Sequence, residues 1–166
     1  ELDRYIESYP DRFVVFAGID GENFANDPDF GETEAQRLRA SYAAGARGLK
    51  IWKTLGLRLR DSQGRVVPVD DPRLSPLWET AGELDIPVLI HTADPVAFFQ
   101  PLDRYNERWE ELAFNPDWHF YPTRPWGVLD DPRFPSFDEL MEQLSNMVGA
   151  HPRTRYILAH VGCNAE

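Results

Sequence analysis

The chain has 166 residues, a net charge of −11 and 42% apolar residues, enough for one domain with a buried core. Its acidity argues against nucleic acid and anionic membrane surfaces as partners. The single cysteine, Cys163, excludes an internal disulfide and a cysteine-built zinc site, and no apolar run approaches the length that spans a bilayer.

Leu2, Tyr5, Ile6 and Tyr9 stand at helical spacing ahead of Pro10, and Phe13 to Ala17 form a continuous apolar strand. Thr33 and Gln36 make a capping-box pattern before Ala35, Leu38, Tyr42, Ala43 and Ala46, an amphipathic helix closed by glycine. The next strand is Gly48 to Lys53. Asp71 and Pro72 then open a helix with Leu74, Leu77, Trp78, Ala81 and Leu84 on one face. Pro87 leads into Val88-Leu89-Ile90-His91. A long Pro- and Trp-rich insert follows, about residues 94–135, with one short helix expected near Arg104 to Leu112. Ser136 and Glu139 form a second capping box, Gly149 and Pro152 stop that helix, and Tyr156-Ile157-Leu158-Ala159-His160 is the last strand. Strands alternating with helices predict an α/β fold with a parallel sheet and helices outside. Residues 1–166 read as a single domain. Four strands fit a small open sheet or half of a (β/α)8 barrel, and the abrupt start at Glu1 and stop at Glu166 favour part of a longer barrel. No signal-peptide pattern is present, which says little about compartment in a chain that starts at Glu1; a cytoplasmic protein is the expectation.

Two histidines end apolar strands at matching positions, His91 and His160. The carboxyl ends of parallel strands face the rim where such folds place their chemistry. Leu89 and His91 share one strand face, as do Leu158 and His160, so both rings should converge over one cavity. A neutral imidazole there can ligate a divalent metal or act as a general base; each histidine could equally be a capped core residue. His119, in the insert, is a further candidate for substrate contact, whereas His151 reads as structural. Lys50 and Trp52 share a strand face that points inward if Leu49 and Ile51 face the helices, and Lys53 lies at the top of that strand. Either lysine could contact an anionic substrate or enter a buried ion pair. Arg124, Trp126 and other arginine and aromatic residues of the insert suit a carboxylated or aromatic small molecule, or simply anchor the excursion. Asp94 could orient a metal-bound group or cap the next turn.

Three segments resemble consecutive strand ends of the amidohydrolase-2 family: Gly48-Leu49-Lys50-Ile51, Ile86 through Pro95, and Ile157-Leu158-Ala159-His160-Val161-Gly162. Tyr9-Pro10-Asp11-Arg12-Phe13 resembles the entry to its third strand. The family comprises metal-dependent (β/α)8 TIM barrels, hydrolases and nonoxidative decarboxylases such as aminocarboxymuconate semialdehyde decarboxylase. The resemblance implies a partial barrel, about strands three to six, in which His91 is a metal ligand and His160 orients or deprotonates the metal-bound water. It implies one divalent metal, zinc above others, acting on a C–N or C–O bond or removing carbon dioxide from a small carboxylic acid. The family's paired histidines on the first strand and aspartate on the eighth have no counterpart in this sequence, so the metal site is incomplete in this chain and the isolated chain is expected to be inactive. Half a barrel also leaves two unpaired edges and an uncovered interior face, which predicts poor solubility or self-association as a homo-oligomer. Two other readings stay open: a metal-independent α/β enzyme using paired histidines for acid–base chemistry, and a non-catalytic binding or scaffold domain.

Overall fold

The computed structural model describes residues 8–121, 123–124, 127–128 and 134–163, with only the backbone described at 123–124 and 127–128. The expected first helix therefore lies mostly outside the described residues. The first strand is β1 (Phe16–Ala17), followed by helix α1 (Phe30–Ala43), strand β2 (Gly48–Ile51), helix α2 (Ser75–Glu83) and strand β3 (Val88–Ile90). The insert contains helix α3 (Trp109–Phe114) and two two-residue strands, β4 (Thr123–Arg124) and β5 (Gly127–Val128). Helix α4 (Phe137–Ala150) and strand β6 (Tyr156–Leu158) follow.

One sheet has the order β1-β2-β3-β6, every neighbour parallel, with Leu49 opposite Val88 and Val88 opposite Tyr156. β4 and β5 make a separate antiparallel pair. This arrangement follows from the period-two pattern of the strands. Leu49, Ile51, Val88 and Ile90 all fall on one sheet face and are 0–1% exposed. They pack with Leu38 of α1, Leu77, Trp78 and Ala81 of α2, and Leu144 and Met147 of α4. Each large aliphatic or aromatic group buried this way contributes roughly 1.5–3 kcal/mol.

The opposite face is different. Lys50, Leu89 and Ile157 are aligned across β2, β3 and β6; the first two are half-buried and Ile157 is exposed. A parallel sheet is ordinarily covered on both faces. Here the helices cover one.

Helix boundaries follow burial and capping. α4 starts where the sequence indicates: the Ser136 hydroxyl accepts from the Glu139 amide at 3.2 Å, and the Glu139 carboxylate accepts from the Ser136 amide at 2.7 Å. That reciprocal box satisfies two amides the helix would otherwise leave open. α1 departs from expectation. It begins at Phe30 rather than near Thr33, with Asp29 as a cap that makes no side-chain bond. Phe30 is 1% exposed against Phe24, and Gly31 lies directly on the Arg73 carbonyl, so packing fixes the start. α1 ends at Ala43, and the chain turns away at Gly45, whose φ of +112° is a conformation glycine adopts without strain. β1 is shorter than the apolar run 13–17 because its partner begins only at Gly48; Phe13 and Val14 stay exposed.

The insert is not structureless. Ala93, Phe98, Leu102, Leu112 and Phe120 form a second core with Leu57 and Leu140. It therefore folds back onto α4 and the upper end of the sheet. Among the described residues no helix is long and apolar enough to cross a membrane.

Candidate active site

His91 is the first residue beyond β3. Its amide continues the ladder by donating to the Ile51 carbonyl at 3.0 Å, which fixes the backbone at the sheet's upper edge. Thr92, Ala93 and Asp94 then bury themselves beside it. The last strand behaves differently from expectation. It ends at Leu158, and residues 159–163 form a tight turn in which His160, Val161, Gly162 and Cys163 all have φ between +56° and +69°. His160 is thus carried by a left-handed turn rather than by the strand itself. The two rings nevertheless meet, with centroids 5.0 Å apart and planes inclined at 72°.

Burial is the main cause holding the His91 imidazole below its ordinary pKa. The Asp94 charge works against it, and Lys53, His160 and Lys50 add to it. His91 is consequently neutral at pH 7, with a ring lone pair available.

The Lys53 ammonium lies 2.6 Å from each oxygen of Asp94, joining the end of β2 to the segment after β3. Lys50 instead donates to the Ile51 carbonyl at 2.7 Å and sits over the Trp52 ring, 4.6 Å from its centroid. Burial lowers the Lys50 pKa. Trp52 is 61% exposed on the open side of the sheet. On the other flank, the Cys163 thiol donates to the Ala93 carbonyl at 2.8 Å, and burial pushes this thiol's pKa up.

A cleft of about 980 Å³ runs from the two histidines under the insert. His91, Asp94 and His160 line one end, Phe137 and Met141 form an apolar wall, and Arg108 with Gln100 lies on the insert side. Phe137 and Met141 were not among the candidate site residues read from the sequence. Their place beside the Ser136 cap, at the helix end nearest the strand tops, was the available signal. Lys50, Trp52 and Lys53 do not line this cleft. Arg124 belongs to β4, whose side chains lie outside the described residues, as do Trp126 and Arg133. His119 is corrected: it is 0% exposed with Nε2 2.7 Å from the Gln100 carbonyl, a core position that no substrate reaches. His151 is the C-cap residue of α4, its backbone amide donating to the Met147 carbonyl.

Residues 3–165 match the protein-family model described as Amidohydrolase. The chain belongs to that amidohydrolase family. Two crystal structures of 2,6-dihydroxybenzoate decarboxylase, one complexed with 2,6-dihydroxybenzoate and one from Rhizobium, are 21% identical to this amidohydrolase chain. Each matches 93% of it with a TM-score of 0.49, and it covers 40% and 41% of them. A Staphylococcus aureus protein provisionally described as an amidohydrolase is 20% identical with a TM-score of 0.50; 93% of this chain and 43% of that one are covered. At such identities the likeness is one of fold, and the chain spans less than half the length of each structure. No curated protein matches the amidohydrolase chain in sequence.

Family membership brings a divalent metal into consideration, and the donor set fits one in part. His91 and His160 offer two imidazoles to one space. Asp94 has both oxygens engaged by Lys53, and among the described residues no group of three His, Cys, Asp or Glu could hold an ion. A catalytic zinc ordinarily takes three protein ligands.

Proposed function

We propose that this amidohydrolase chain supplies the middle strands of a metal-dependent barrel enzyme that either hydrolyses a C–N or C–O bond or decarboxylates a small carboxylic acid. The single observation carrying this reading is the meeting of His91 and His160, ring centroids 5.0 Å apart over a cleft, from the segments that follow two adjacent parallel strands. His91, kept neutral by burial, would hold the ion; imidazole suits zinc among common divalent metals. Such an ion supplies a water acidic enough to react near neutral pH. His160, exposed at the mouth of the cleft, takes or delivers a proton. Lys50 and Trp52 on the open sheet face and Arg124 in the insert are the candidate substrate contacts, and Asp94 steadies the segment bearing His91.

A second reading rests on the same pair: two imidazoles with centroids 5.0 Å apart doing acid–base chemistry without metal. The full-length protein separates them. On the first reading it contains about one divalent ion per chain, and His91→Ala loses both the ion and turnover of small carboxylates and amides. His160→Asn retains the ion while kcat falls roughly 10²–10⁴-fold, the usual worth of a positioned acid–base group. Activity that survives both chelation and His91→Ala would overturn the metal mechanism.

A further inference from the structure

Sequence reasoning gave Lys53 two readings, substrate contact or a buried ion pair, and the structure pairs its ammonium with Asp94, which lines the cleft beside the two histidines while Lys53 itself does not. Both Asp94 oxygens lie 2.6 Å from Nζ, and Asp94 is 6% exposed. A carboxylate this buried needs a partner, so a substrate that drew Lys53 away would strand it. The pair spans from the end of β2 to the third residue after His91. From the opposite side the Cys163 thiol holds the Ala93 carbonyl at 2.8 Å, three residues beyond His160. Residues 92–94 are thus gripped from β2 on one side and from the turn after β6 on the other. Among the described residues no hydrogen bond orients the His91 ring itself. The backbone that bears it sets where the ring starts from, and its edge-on contact with His160 completes its placement.

We propose that Lys53 is a positioning residue: through Asp94 it locks the segment after β3 and so fixes the approach of the His91 ring to the His160 ring. This rests on the reading above that the two imidazoles form the working pair. Three properties follow. The effect appears in kcat and in metal affinity rather than in KM. Asp94 and Lys53 act as one unit. A guanidinium, which pairs with a carboxylate through two parallel bonds, substitutes for the ammonium.

The test uses the full-length protein with Lys53→Met, Lys53→Arg, Asp94→Asn and the Lys53→Met/Asp94→Asn double variant. Zinc affinity is measured by competition with a chromophoric chelator, and kcat and KM are measured separately. The ¹H–¹⁵N signals of the two imidazoles are recorded in metal-free protein. Expected are a 10–100-fold loss of zinc affinity in Lys53→Met, the range seen when a supporting partner of a ligand is removed. A parallel loss of kcat is expected with KM within about threefold, a double variant no worse than the worse single one, and recovery in Lys53→Arg. In the metal-free spectra both imidazole signals shift in Lys53→Met and return in Lys53→Arg. A raised KM with unchanged zinc affinity would show that Lys53 contacts substrate and would overturn the proposal, as would imidazole signals identical to wild type. Because those signals need no metal, a protein that binds no zinc refutes the metal mechanism while the spectra still decide the role of Lys53.

Discussion

Gly31 offers a test in which two ordinary effects oppose each other. In a helix, replacing glycine by alanine normally gains up to about 1 kcal/mol, because glycine loses more backbone freedom on folding. At Gly31 a Cβ would stand 1.8 Å from the Arg73 carbonyl oxygen and 2.9 Å from its carbon, both main-chain atoms. Ordinary contact begins near 3.4 Å, so α1 and the turn at residues 72–74 would have to part by more than an ångström. Overpacking of this kind costs about 1–3 kcal/mol, and the clash is with backbone rather than with a side chain that can rotate. The net expectation for Gly31→Ala is a loss of about 1–2 kcal/mol. Gly149, near the end of α4, has nothing within 4 Å of the same built atom, so Gly149→Ala should gain about 0.5 kcal/mol. Urea unfolding of the full-length protein reads both as midpoint shifts of opposite sign at constant slope. If both variants raised the midpoint, the close approach of α1 to residues 72–74 would be disproved.

Ser136→Ala should cost about 1 kcal/mol by removing the hydroxyl that accepts from Glu139, and Ser136→Asp should restore most of it; the same unfolding curves report both. His91 has a pKa lowered chiefly by burial, so the folded protein holds fewer protons there than the unfolded chain does below the ordinary value of 6.5. Unfolding takes up a proton in that window, and this contribution to stability is complete above about pH 6.5 and declines as the pH falls toward the lowered folded value. In metal-free protein, His91→Gln should accordingly show a shallower loss of stability on acidification; an unchanged slope would mean that His91 titrates as it does in the unfolded chain.

The sheet was legible because its information is local. Val88-Leu89-Ile90 and Tyr156-Ile157-Leu158 are short, apolar and bounded by turn residues, and a parallel strand has little else to specify. Ser136 and Glu139 announced α4 for the same reason, since a cap needs only residues three apart. Contacts between distant segments were not legible in this way. Nothing near Lys53 in sequence points to Asp94, and nothing near His119 shows that Gln100 and the insert core close over it. The start of α1 was misread because Thr33 and Gln36 satisfy a local rule that burial of Phe30 overrides. The meeting of His91 and His160 was anticipated from strand periodicity, yet it is achieved through a left-handed turn that periodicity does not describe.

In the four-stranded sheet, neighbours in space follow one another in the order of the chain. Such a sheet can grow by accretion, each new strand finding its docking edge already formed and waiting. Assembly on the ribosome would then need no rearrangement of earlier parts. Of these four strands β6 is the one that brings His160, so the paired imidazoles come into being only when β6 docks on β3.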